Sequence, residues 1–278
     1  ASCLIIEENS IVDGINKEFG LNIKTIDEVH KAVRDNRHKR FNELIDKKFS
    51  DDKLIELLSC FENRDDKQIT DSVTDNADIP TIFEYIIGVI WYKISERKGN
   101  ILDYMNLSLE ADLLPKTHAG GGEADIAYWY ETCNEYPAHC MLLEVTLADG
   151  INQRRMEMEP VSRHLGEHLL QYDNKNSYCV FSSTYLDRNV ISDFRNRKTY
   201  EYLNKELTKS VKGMKIIPLQ TSEIKTIIRN HITYKKLYRI FDEAFNSDES
   251  VITWYQKKIV EQIYNVKNYI DEKPINNN

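Results

Sequence analysis

Cysteine is sparse in this chain of 278 residues: five, at positions 3, 60, 133, 140 and 179, with no Cys-x-x-Cys among them. An odd, scattered set excludes a disulfide framework and a zinc ribbon and points to a reducing compartment, with the cytoplasm as the expected location. Long hydrophobic runs are missing too. The longest candidate, Tyr85 to Tyr92, is bracketed by Glu84 and Lys93, far short of a bilayer span, so no membrane partner is expected. There is no signal peptide, and the first residue is Ala1 rather than Met, which reads as a fragment of a longer polypeptide or a processed form. Excess basic charge is also absent. A formal charge of -8 argues against a surface that binds nucleic acid all over, so any such role needs a local basic face or a separate targeting module. No internal repeat is found.

What is present suffices for a core. The chain is 41% hydrophobic, enough for one large domain or two small ones. Residues 1–77 read as a helical N-terminal region or linker segment. In it Ile23, Ile26, Val29 and Val33, then Leu54, Leu57, Leu58 and Phe61, recur at helical spacing. The densest basic run, Lys31 to Arg40, is either a solvated helix face or a contact to a phosphate backbone. Asn63 to Asp78 is polar and reads as a linker or exposed loop.

From Pro80 a helix rich in apolar residues begins. Thr81-x-x-Glu84 fits a capping box, and Glu84 alternatively faces acids further along the chain. Gly120, Gly121 and Gly122 then permit close backbone approach without the Gly-Lys-Ser/Thr ending of a P-loop. Asp125 opens one run of strand formers and Glu144 closes a second that starts at Cys140, with a connection at Cys133 to Ala138 between them. Two carboxylates therefore end on adjacent strands. A carboxylate beside Leu142, Leu143 and Val145 is costly unless something positive joins it, and a hard divalent cation takes one or two carboxylates plus waters and phosphate oxygens.

Asp149 is placed to cap a helix over Ile151 to Tyr172, which Pro160 is expected to kink or divide. Beside that helix's apolar stripe run Gln153, Glu157, His164 and His168. His164 and His168 stand one turn apart, but without His-Glu-x-x-His spacing or a third ligand they do not read as a zinc site. A strand over Ser177 to Ser183, a helix over Val190 to Leu207, a strand over Met214 to Leu219 and helices over Thr221 to Asn230, Tyr234 to Phe245 and Val251 to Ile270 follow. The tail from Lys273 is expected to fray. The expected class is α/β, with mixed α+β character: a mixed β-sheet flanked by helices. Trp91, Trp129 and Trp254 read as packing aromatics. Arg163 either touches phosphate or pairs with a carboxylate, and Arg195 to Lys198 is a second candidate for backbone contact.

The acids gathered this way are Asp125, Glu144, Glu157 and Glu84. With one or two Mg2+ ions, for which Mn2+ substitutes, such a group suits phosphodiester hydrolysis. The order of helix, hairpin with Asp and then Glu, helix and strand resembles the PD-(D/E)xK nuclease superfamily, with Thr146 where the common pattern has Lys. Glu144-Val-Thr-Leu-Ala-Asp-Gly, then Gln153-Arg-Arg-Met-Glu157 through Arg163-His164-Leu, with Thr81-Ile-Phe-Glu84 upstream, resembles the AlwI family of type IIS restriction endonucleases and related nicking enzymes. The likeness runs from about Ile79 to Gln171.

It implies a restriction-endonuclease-like cleavage domain over residues 78–278, with Glu84, Asp125, Glu144 and Glu157 at the family's acidic positions. Glu84, Asp125 and Glu144 are then the metal ligands. The resemblance also implies a DNA-recognition domain or subunit that reads an asymmetric site on double-stranded DNA, and cutting at a short fixed distance from it. A second nuclease subunit or a transient dimer is a further possible partner. Gln153 or His164 is expected to stand in for the missing Lys by holding water or phosphate. The alternatives are a nuclease of repair, transposition or RNA cleavage, and a catalytically silent DNA-binding subunit.

Overall fold

The computed structural model describes residues 8–20, 22–118 and 122–266; Cys3, Gly120, Gly121 and everything past residue 266 lie outside the described residues. The chain divides into two compact units between Ser50 and Asp51. The first holds α1 (Glu8–Phe19) and α2 (Ile26–Lys48). Thr25 starts α2 by accepting from the Glu28 N–H at 3.2 Å, while the Glu28 carboxylate accepts from the Lys24 N–H at 2.6 Å. Val29, Phe41 and Ile45 are buried, whereas Val33 is exposed.

The second unit opens with α3 (Asp51–Asn63), α4 (Asp66–Ser72) and α5 (Ile79–Ile94). The polar stretch expected to be a linker is therefore partly helical. Asp65 caps α4 by accepting from Gln68 N–H at 3.1 Å, and Ile69 anchors it in the core. Two short strands, β1 (Ser108–Leu109) and β2 (Pro115–Thr117), pair before the main sheet. That sheet contains β3 (Ile126–Tyr130), β4 (His139–Thr146), β5 (Tyr178–Ser183) and β8 (Ile216–Gln220) in that order. The first pair is antiparallel and the others parallel, giving the mixed sheet that the alternation of elements indicated.

Between these strands lie α6 (Gly150–Tyr172), α7 (Arg188–Asn196) and a hairpin of β6 (Glu201–Leu203) and β7 (Ser210–Lys212). The hairpin replaces the second half of the helix expected to reach Leu207. Asn204 folds its side-chain oxygen onto the N–H groups of Thr208 and Lys209, each at 2.9 Å, a local bond that turns the chain out of a helix. The chain continues with α8 (Thr221–Arg229), α9 (Tyr234–Asn246), α10 (Val251–Tyr255), a π-helical turn over Gln256–Val260 and α11 (Glu261–Asn265).

Strand alternation sorts the core into two layers. Cys140, Leu142, Cys179 and Phe181 pack with Val161, Leu165 and Leu169 of α6 and with Val190 and Phe194 of α7. On the opposite face, Trp91 of α5 donates its indole N–H to the Tyr130 hydroxyl at 3.1 Å, and Tyr130 stacks on Tyr234 of α9 with centroids 3.8 Å apart. Gly88 lets α5 sit close to β3: a Cβ there would lie 2.7 Å from Ile126 Cδ1. Helix α6 runs unbroken through Pro160. Trp91 and Trp254 are core residues, but Trp129 is 40% exposed, on the α6 side of the edge strand β3.

Candidate active site

Register builds the site. Ile126 pairs with Leu143 and Ala127 with Leu142, so Asp125, just ahead of β3, is the next residue opposite Glu144. Directly opposed residues on antiparallel strands point to the same side, with Cα atoms about 4.5–5.5 Å apart. The pair faces α6, because Glu144 shares its parity with Leu142 and Cys140 of that layer. Asp125 is held there by the Val145 N–H, which donates to Oδ2 at 2.7 Å.

Helices bring two more acids. Glu84 lies on α5, but not as a capping residue. Asp78 caps that helix, accepting from Thr81 N–H at 2.9 Å, so Thr81 is already within the first turn and the expected capping box does not form. Glu84 instead lines a cleft with Asp125, Glu144, Glu157 and His164. The cleft has a volume of about 490 Å³ and also takes in Arg64, Glu123 and Thr146. Glu84 is only 9% exposed, and its Oε2 has no hydrogen-bond partner among the described residues.

The other three acids each have one oxygen engaged. Glu144 Oε1 lies 2.7 Å from His164 Nδ1, and the Thr146 hydroxyl donates to Glu157 Oε1 at 2.7 Å. Thr146, at the position where a Lys was missed in the sequence, thus fixes the acid contributed by α6. It also accepts from Ala148 N–H at 3.0 Å, closing the turn into that helix. Asp149 occupies the cap position of α6 but makes no side-chain capping bond. His164 Nε2 is buried without a partner among the described residues.

Electrostatics follow from crowding largely buried acids in one cleft. At an effective dielectric of about 20, like charges about 4 Å apart repel by about 4 kcal/mol, so full ionisation is unfavourable without a counter-charge. Burial, then Asp125, Asp78, Glu144 and Glu157 in turn, raises the Glu84 carboxyl to about 9. Burial and Glu144 raise Asp125, while burial and Glu157 raise Glu144. Burial raises Glu157 as well, opposed by the Thr146 bond and by His164. Burial and the nearby Arg163 lower His164, favouring its neutral form.

Among the described residues, no group of three or more His, Cys, Asp or Glu side chains is arranged to hold a metal ion as it stands. The donors nevertheless suit a hard cation. All four acids offer oxygen, Glu84 Oε2 has no hydrogen-bond partner among the described residues, and burial followed by the neighbouring carboxylates raises Glu84, a cost that a cation would relieve. Mg2+ is usually held by only one or two carboxylates with waters and substrate oxygens, so a closed cage is not required.

Gln153 does not stand with these residues. It is fully buried, donating to Ala148 O, Ser183 Oγ and Tyr185 O at 3.0, 3.2 and 2.6 Å and accepting from Asp187 N–H at 2.8 Å. Those bonds tie the start of α6 to the loop after β5 and leave none of its polar atoms for substrate. The Arg195 to Lys198 cluster also departs from expectation. Arg195 is buried, donating to the carbonyls of Phe245 and Ser247 and lying over Trp254, while Arg197 pairs with Asp193 at 2.9 Å. Lys198 lies over the Phe245 ring. Arg163 pairs with Glu159 at 3.0 Å. The cleft residues Arg64 and Glu123 carried no sequence signal, since neither belongs to a periodic stripe or a spaced motif.

A family model described as AlwI restriction endonuclease matches residues 1–227 of this chain. Among solved structures, the small subunit (R.BspD6I2) of the heterodimeric restriction endonuclease R.BspD6I is similar in fold. Its TM-score is 0.51 at 20% sequence identity, over 76% of this chain and 98% of that one. No curated protein matches the chain. Among the described residues, no helix is long and apolar enough to cross a membrane.

Proposed function

The chain belongs to the AlwI restriction endonuclease family, and from that membership we propose that it is a divalent-metal-dependent DNA endonuclease working in the cleft of Glu84, Asp125, Glu144 and Glu157. The observation that carries the reading is the convergence of four carboxylates, from α5, the head of β3, the end of β4 and α6, on one cleft.

Glu84, Asp125 and Glu144 would hold Mg2+ or Mn2+, which supplies Lewis-acid stabilisation of a phosphodiester and a water of lowered pKa. The chain's own residues do the positioning. The Val145 N–H orients Asp125, and Thr146 orients Glu157. His164 is poised through Nδ1–H on Glu144, which leaves Nε2 to accept from a water; this is its proposed part in replacing the missing Lys. Gln153 has no such part. Cutting at a fixed distance from an asymmetric site read by a separate recognition domain or subunit completes the proposal. So does work alongside a second nuclease subunit, in keeping with a similar fold in a subunit of a heterodimeric enzyme.

A second reading, a DNA-binding subunit that does not cut, is favoured by Thr146 standing where a Lys was expected. Supercoiled plasmid separates the two. With Mg2+ the chain is expected to nick or linearise it, and EDTA or Asp125→Asn is expected to lower the rate at least about a hundredfold, the scale of losing a group that acts on the transition state. No cutting with Mg2+ or Mn2+, or cutting indifferent to EDTA and to Asp125→Asn, overturns the nuclease reading.

A further inference from the structure

Next to the acid cleft lies a second cavity of about 240 Å³, sharing Gly122, Glu123 and His164 with it. Its wall is aromatic. Trp129 projects from the edge strand β3 and is 40% exposed, and Tyr172, at the end of α6, is 49% exposed. The two rings meet edge to face, with centroids 5.0 Å apart and planes at 76°, and His168 closes the corner 5.6 Å from Trp129. His168 is only 9% exposed, yet its Nε2 has no hydrogen-bond partner among the described residues although the residue lines this cavity. Exposed aromatic surface and a buried, unanswered ring nitrogen in one place call for a flat ligand with polar edges.

We propose that this cavity takes an unpaired nucleobase of the DNA strand lying across the acid cleft, stacked on the Trp129 ring, with Tyr172 and His168 at its edges. The proposal rests on the nuclease reading only for where the strand runs. Charge selects the occupant. The described lining residues include Glu123, Glu167 and Gln171 but no Lys or Arg, so a phosphate is repelled, whereas an uncharged base is not. Shared walls place the cavity beside the scissile position, where a base leaving the duplex is the nearest flat group on offer. Stacking is sequence-tolerant because every base has a π-face. The cavity therefore distinguishes unpaired from paired, not one base from another.

The test is equilibrium binding of the full chain in EDTA, with a duplex bearing one unpaired 2-aminopurine compared with the fully paired duplex. Wild type is expected to bind the unpaired probe about tenfold tighter and to quench its fluorescence, the scale of one base stacked on an aromatic ring. Trp129→Leu is expected to abolish the preference and the quench, and Trp129→Phe to retain part of both. At this half-exposed position neither change opens the core. Equal binding of the two probes by wild type, or an undiminished preference in Trp129→Leu, overturns the inference. Because no metal or turnover is involved, a chain that keeps the preference but never cuts plasmid loses only the nuclease reading. A chain that cuts but shows no preference loses only this one.

Discussion

Thr146 shows how a single hydroxyl can set the behaviour of an acid. Its bond to Glu157 favours the ionised carboxylate and opposes the burial that raises it. Thr146→Val keeps the shape and removes the bond, so Glu157 holds its proton to higher pH. If cleavage needs Glu157 ionised, the acid limb of the pH–rate profile moves upward. The rate near neutrality is then expected to fall about tenfold, since one hydrogen bond to a charged group contributes roughly 1.5–3 kcal/mol. Plasmid cleavage measured across pH checks this, and a superimposable profile would mean that the ionisation of Glu157 does not matter. The hydroxyl's role was not legible in the sequence, where Thr146 reads only as a departure from Lys. Asp125 and Glu144 were legible, because two short apolar runs with one connection define a hairpin whose ends must meet. Gln153 was misplaced because helical periodicity reports which face a residue shares, not what the neighbouring loop brings against it. It stands on the stripe of Glu157 and His164, but at a turn that meets the carbonyls of Ala148 and Tyr185.

At the scale of elements, the two basic clusters separate cleanly. Arg195 and its neighbours are consumed by carbonyls, rings and Asp193. Lys31, Arg37 and Lys39 of α2 are exposed, and of these Lys39 stands 3.9 Å from Glu43, a surface pair of small energetic weight. Lysines and arginines clustered on one exposed helix are the arrangement that releases counterions from a phosphate backbone. Lys31→Glu with Arg37→Glu is therefore expected to weaken DNA binding uniformly across sequences and to flatten the salt dependence by about one unit of slope for each phosphate no longer neutralised. An unchanged slope in a salt titration would make α2 ordinary surface. Composition alone does not separate these clusters, since burial of Arg195 depends on Phe245, Ser247 and Trp254, about fifty residues away. Helix α5 carries a similar lesson: Thr81 and Glu84 have capping-box spacing, but Asp78 three residues earlier takes the cap, so Glu84 lies beyond the first turn and lines the cleft instead.

For the whole molecule, a cleft of carboxylates links stability to pH and to cations. Glu84 is raised from an ordinary value near 4.5 to about 9, and Asp125, Glu144 and Glu157 are raised in the same direction. A group that binds its proton more tightly when folded favours the folded state fully below its unfolded pKa. That contribution is lost as pH rises through the folded value. Without metal, the melting midpoint is thus expected to decline as pH rises above the ordinary carboxylate range, the Glu84 share being lost between about pH 4.5 and about pH 9. Glu84→Gln removes that share and should raise the metal-free midpoint at pH 8 while changing little at pH 5. Each kcal/mol relieved corresponds to about 2–4 °C in a domain of this size. A divalent cation supplies the same relief from outside, so Mn2+ or Mg2+ should stabilise wild type more at pH 8 than at pH 5, as binding to the folded state alone requires. Thermal melts across pH, with EDTA or Mn2+, read both effects. If the midpoint is flat with pH and Mn2+ adds nothing at pH 8, then the acids are not held close enough to share a charge, and the geometry on which the nuclease proposal stands is wrong.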